Sequence, residues 1–181
     1  MAAPLRPDAA AAAALALFAA TALHANTGGD TTARVMARVH ADYASAHAAL
    51  EQRTAECLKQ RTRAVDPILF RGLDLSQRQI EVAAYVLSER AMNACEAPAK
   101  GQFALAISAY QHVARHYGQV LPADVARADE QLMAQRWRLL EKEIGEYTSL
   151  SDTQRLRLES HVQLRTPFDF TGLLDQLRDG R

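Results

Sequence analysis

The chain has 181 residues, with 21 basic and 21 acidic side chains and a formal charge of zero. A balance of that kind excludes a general nucleic-acid binder, which needs an excess of Lys and Arg on one face to neutralise phosphates. About half of the residues are apolar, enough for a real core and too many for a disordered chain.

The N-terminus reads as an export leader. One arginine, Arg6, precedes an uncharged, alanine-rich run from Ala9 to Ala25 that carries Leu15, Leu17, Phe18 and Leu23. Asn26, Thr27, Gly28 and Gly29 follow as a polar, turn-rich junction. A basic start, an apolar stretch and small residues before a polar break form the layout of a secretory signal. Small-residue rules allow cleavage after Ala22 or after Ala25, and the adjacent polar break favours Ala25. A run of about 17 mildly apolar residues is short for a permanent anchor, which needs roughly 20. The expected organisation is therefore a signal peptide over 1–25 and a single helical domain over 26–181, periplasmic or secreted, with no stable membrane span after cleavage.

Cys57 and Cys95 are the only cysteines. In an oxidising compartment a lone pair is most simply a structural disulfide. The alternative is two buried thiols, which would go with a failure of export. The spacing is far from CxxC and gives no redox motif.

Helical periodicity runs through the rest of the chain. A first helix is predicted from Thr31 to Ala64, with an inward stripe of Met36, Val39, Tyr43, Ala46, Leu50 and Cys57 that Arg53 interrupts. Pro67 stops it. The connector from Asp66 to Asp74 carries Ile68, Leu69 and Phe70, all expected to be buried. A second helix is predicted over Ser76–Ala94, with Ile80, Ala84, Leu87, Ala91 and Cys95 inward. A third spans Gly101–Tyr117, with Phe103, Ile107, Tyr110, Ala114 and Tyr117 inward and Gly118 as its cap. A fourth begins at Pro122, favoured as a first helical residue. It runs to Tyr147 on a core line of Val125, Leu132, Leu139 or Leu140, and Ile144. A fifth covers Asp152–Leu164, and residues 171–178 form a last short helix. The fold class is all-α, an irregular bundle of about five helices with one disulfide. If the first two helices formed a tight hairpin, Cys95 would lie roughly 30 Å from the shared turn and Cys57 close to it. A bond requires Cα atoms within about 7 Å. The connector must therefore travel back along the bundle, or the first helix must break, or the two must cross steeply.

One motif occurs twice. Leu75-Ser76-Gln77-Arg78-Gln79 and Leu150-Ser151-Asp152-Thr153-Gln154 both read L-S-x-x-Q. As local physics this is a capping box, Ser76 with Gln79 and Ser151 with Gln154. With export, helicity and size, the pair resembles periplasmic stress chaperones of the Spy type, which carry two L-T-x-x-Q motifs. The resemblance implies a concave helical surface that holds unfolded clients. The chain departs from it in serine for threonine, in its disulfide, and in the wider separation of the motifs.

His112 and His116 lie four apart, a spacing that lets two imidazoles share a metal on one helix face. Two ligands make only a weak site, and a solvated face is the simpler reading. His40 and His47 are a heptad apart and cannot share an ion. The sequence contains neither a G-x-S-x-G elbow nor a phosphate-cradling glycine loop. No cofactor is implied. Thr166-Pro167-Phe168-Asp169-Phe170, within the tail 166–181, either plugs the bundle or docks a partner. The expected function is a non-enzymatic binding or envelope accessory role with a protein partner. The alternatives are the Spy-like chaperone and an enzyme or metal protein whose site is assembled from distant residues.

Overall fold

A computed structural model describes the backbone of residues 9–179 and the side chains of residues 29–128 and 141–179. Five α-helices follow one another: α1 (Ala9–Gln60), α2 (Gln77–His116), α3 (Ala123–Thr148), α4 (Asp152–Ser160) and α5 (Phe170–Asp179). Two 3-10 turns, Pro67–Phe70 and Val162–Leu164, lie in the connections. No strand occurs among the described residues, so the chain is a helical bundle. No helix among them is long and apolar enough to cross a membrane. Met1–Asp8, the start of the expected leader, lie outside the described residues, as do the side chains of Leu132, Leu139 and Leu140.

The first helix is longer at its start than the sequence suggests. It begins at Ala9 and passes through Gly28 and Gly29 without a turn, where a polar junction was expected. Alanine is the best helix former and the flanking runs are rich in it, so they carry the helix across two glycines. At its other end α1 stops at Gln60, four residues before Ala64.

The second difference is larger. Helices expected over Ser76–Ala94 and Gly101–Tyr117 are one helix of 40 residues, with Pro98 inside it. Proline removes one i→i−4 hydrogen bond and crowds the carbonyl four residues back, yet a helix held by tertiary contacts continues past it. Here the holding contacts are covalent and polar. Cys95 is bonded to Cys57, with Cα atoms 6.1 Å apart. Arg53 Nε donates to the Cys95 carbonyl at 2.9 Å. Buried Glu96 pairs with Lys100 across the proline at 2.6 Å. Gly118, not Gly101, ends the helix. It takes φ +63°, Gln119 N donates to Ala114 O, and Gly118 N donates to Arg115 O, which together make a Schellman motif.

The disulfide position follows from how α1 meets α2. Arg61 pairs with Glu89, Cys57 with Cys95, and Tyr43 packs on Phe103 and Tyr110. Residue numbers rise on one helix as they fall on the other, so the two run antiparallel. The pairing uses only the later part of α2. The connector after Gln60 travels back along the bundle to reach Gln77, which resolves the distance problem posed by the cysteine spacing.

Two separate cores result. The larger joins Val65, Phe70 and Leu73 of the connector and Ile80–Leu87 of α2 to Tyr147, Leu150, Leu158, Leu164, Phe168, Leu173 and Leu177. The smaller joins Tyr43 to Phe103, Ile107, Tyr110, Ala114, Val125 and Ala128, with Met36, Val39, Ala46 and Leu50 at its edge. Ile68 does not join Phe70 and Leu69: it is 58 % exposed. Asp66 caps the 3-10 turn by accepting from Ile68 N, and the tight turn places Ile68 outward and Phe70 inward. The fifth expected helix divides, because His161 is extended and separates α4 from the turn at Val162–Leu164. Pro122 is the cap residue before α3, one position earlier than expected.

The tail packs on the bundle. Phe168 is fully buried in the larger core, and Phe170 packs on Tyr85 with ring centroids 5.6 Å apart. Arg63 fastens the segment by donating to the carbonyls of Gln163, Thr166 and Pro167, while Asp169 N donates back to Arg63 O at 2.9 Å.

Candidate functional site

The two L-S-x-x-Q motifs, 75 residues apart in the sequence, meet in the fold. At each, the serine Oγ accepts from the glutamine N–H, and the glutamine Oε1 accepts from the serine N–H. These are capping boxes for α2 and α4. Gln154 does more than cap: its Nε2 donates to Leu73 O at 2.8 Å. One side chain thus closes its own helix and ties it to the turn that precedes Ser76. Leu150 is buried in the larger core and Leu75 packs against it.

A cleft of about 270 Å³ opens beside the first motif, lined by Phe70, Arg71, Gly72, Asp74, Leu75, Ile80 and Leu177. The turn that shapes it has two left-handed residues, Gly72 at φ +72° and Asp74 at φ 51°. Glycine adopts this conformation freely and Asp tolerates it better than most. The effect is to put apolar Phe70, Leu75 and Ile80 inside and the exposed Arg71 and Asp74 at the rim. Sequence reasoning missed this site. Its only signal was the glycine and two aspartates around a short apolar run in the connector.

Other polar groups tie the helices to one another. Tyr147, wholly buried, donates to Glu159 at 3.0 Å. Glu159 also receives Arg90 at 2.7 Å, and the guanidinium of Arg90 lies 4.8 Å from the centre of the Tyr147 ring. Burial first, then the bond to Glu159 and its charge, push the Tyr147 hydroxyl well above the ordinary tyrosine range. It stays a donor that locks α2, α3 and α4 together. Arg78 binds Glu146 through two hydrogen bonds, at 2.9 and 3.1 Å. Arg78 holds the Glu146 carboxyl below the usual carboxylate range.

His112 and His116 are exposed on the last turns of α2. Among the described residues no group of three or more His, Cys, Asp or Glu side chains is placed to hold a metal. His40 and His47 flank Tyr43 instead. The His40 ring stands edge-on to Tyr110 at 5.9 Å and the His47 ring lies 5.2 Å from Phe103, so both complete the aromatic seam between α1 and α2. Cys57 is fully buried and bonded to Cys95. No protein-family model, curated protein or solved structure matches the chain.

Proposed function

We propose that the chain is exported and acts by binding a protein partner, through the cleft between the connector, the start of α2 and α5. The observation that carries this reading is the cleft's make-up: an apolar floor with one cation, Arg71, and one anion, Asp74, at its rim. Its volume falls just below the roughly 300–1,000 Å³ of sites that enclose small molecules. That suits one apolar side chain of a peptide, with charges of either sign beside it. The expected occupant is an exposed peptide segment in which an apolar anchor is flanked by an acidic and a basic residue.

The test is binding selection from a displayed peptide library against the folded protein. Enrichment of apolar-anchored peptides, lost on Leu75→Glu, supports the reading. Enrichment that survives both Leu75→Glu and Arg71→Ala removes it. Export has its own check. Protein recovered outside the cytosol should begin at Asn26, and retention of Met1 in the cytosol would overturn that part.

A second reading, a holdase of the Spy type, is favoured by the bond from Gln154 to Leu73 that brings the paired motifs together. Among the described residues, the large exposed apolar side chains Leu58, Ile68, Leu105, Val120, Leu156 and Val162 are spread over several elements, which favours the single-cleft reading over it. Suppression of aggregation of a denatured client at near-stoichiometric ratios would reverse that preference.

A further inference from the structure

We infer that α2 contains a hinge at Pro98–Gly101 and that α1, fastened by the disulfide, is a splint across it. Three observations meet at this point. The two buried cores are separate, and on α2 the larger ends at Leu87 and the smaller begins at Phe103. The four residues from Pro98 to Gly101 include the two poorest helix formers, proline and glycine. Gly101 is exposed, with open space where a Cβ would sit, and beside it Lys100 is held only to Glu96 and Asn93 of the same helix.

α1 crosses this point with different attachments on either side. Before the hinge it is held by Cys57–Cys95, by Arg53 on the Cys95 carbonyl and by Arg61 on Glu89. Beyond the hinge it is held chiefly by packing, Tyr43 against Phe103 and Tyr110 at 5.4 and 6.0 Å, with one long polar contact of 3.5 Å between the Tyr110 hydroxyl and His40 Nδ1. Bending α2 at Pro98–Gly101 would slide Phe103 and Tyr110 along α1, while Cys57 stays fixed to Cys95. The covalent bond holds α1 in register, so the aromatic seam resists the bend. α3 also spans both cores, through Val125 and Ala128 at one end and Tyr147 at the other. It limits the amplitude but has no covalent tie to α2. Without the disulfide, the half carrying the smaller core swings relative to the half carrying the cleft.

The test is a pulsed electron-spin distance measurement on the full chain. Labels are carried on a ketone-bearing amino acid at Leu105 and Val162, both exposed and on opposite sides of the hinge. The bonded protein is expected to give one narrow distribution. Cys57→Ser with Cys95→Ser should widen it about twofold, and adding Pro98→Ala with Gly101→Ala should narrow it again. No widening, or widening that persists after the second pair of substitutions, overturns the proposal. Should the serine variant lose helix content by circular dichroism, the comparison moves to the bonded chain. There Tyr43→Ala, which removes the far-side packing and leaves the disulfide, must widen the distribution; an unchanged distribution overturns the hinge.

Discussion

Arg53 Nε lies 2.9 Å from the carbonyl oxygen of Cys95. Arg53 is the residue that breaks the apolar stripe of α1, and this contact is the reason an arginine stands there. Its guanidinium also meets Glu56 at 3.2 Å, which orients it toward α2. Arg53→Met keeps the length and removes the donor. Loss of a hydrogen bond made by a charged group costs about 1.5–3 kcal/mol, and partial exposure places this one at the low end. Urea unfolding should show stability reduced by that amount, as a lower midpoint at an unchanged slope.

Gln79 and Gln154 occupy equivalent cap positions but are not equivalent in energy. Replacing either by alanine removes the bond from the cap serine N–H, and Gln154 also accepts from Ser151 Oγ at an exposed position where little is lost. Only Gln154→Ala also frees the Leu73 carbonyl. A neutral hydrogen bond contributes roughly 0.5–1.5 kcal/mol net, so Gln154→Ala should be more destabilising than Gln79→Ala by about that much. Equal losses in paired denaturant titrations would show that the cross-link between the motifs contributes nothing.

Phe168 and Arg63 hold the tail in different ways. Phe168→Ala empties a fully buried site, and changes of this type cost about 3–5 kcal/mol. Arg63→Ala removes donors to three carbonyls of the same segment and leaves the core filled. Both should raise the rate of protease cleavage within 163–179. Only Phe168→Ala should strongly lower the global unfolding midpoint.

The Arg78–Glu146 pair makes stability depend on acid. Because Arg78 depresses the carboxyl of Glu146, the folded state binds this proton less readily than the unfolded chain. The contribution is fully present above the unfolded carboxylate range. It is lost as pH falls through the lower folded value. Arg78→Met should flatten the acid limb of a plot of stability against pH below about 4.5, and leave its neutral region nearly unchanged, since exposed pairs contribute little.

Tyr147 acts at the alkaline end. Its pKa is raised by burial and by Glu159, so its contribution is complete below the unfolded tyrosine value near 10 and is lost as pH rises above it. A spectrophotometric titration should show Tyr147 ionising late while the fold persists, with Tyr43 also displaced upward, chiefly by burial. Tyr147→Phe should remove the latest-ionising group.

Which parts of this architecture the sequence announces depends on the range of the interaction involved. The stripe from Met36 to Cys57 is a local, periodic signal, and α1 turns each of its apolar members toward α2. The single cysteine pair likewise admits only one intramolecular bond. The fusion of two expected helices was hidden, because Pro98 and Gly101 are local stop signals. They are overridden by Arg53 and Cys57, some 40 residues earlier in the chain. The outward turn of Ile68 was hidden as well. Three adjacent apolar residues do not say which one a 3-10 turn will expose. The cleft depends on Leu177 meeting Phe70 and Ile80, a coincidence of three distant segments that no spacing encodes.

The larger core has an order of assembly written into it. Val65 to Leu87 share one core with residues 147–177, so a chain appearing N-terminus first must carry this half incomplete until its last residues arrive. Cys57 and Cys95 are both available long before that point. Oxidation can therefore join α1 to α2 while the second half of the chain is still emerging. The staple would then shorten the search that Phe168 and Leu173 must make to close the core. Refolding of the reduced and the oxidised chain should differ in rate for this reason, and not only in final stability.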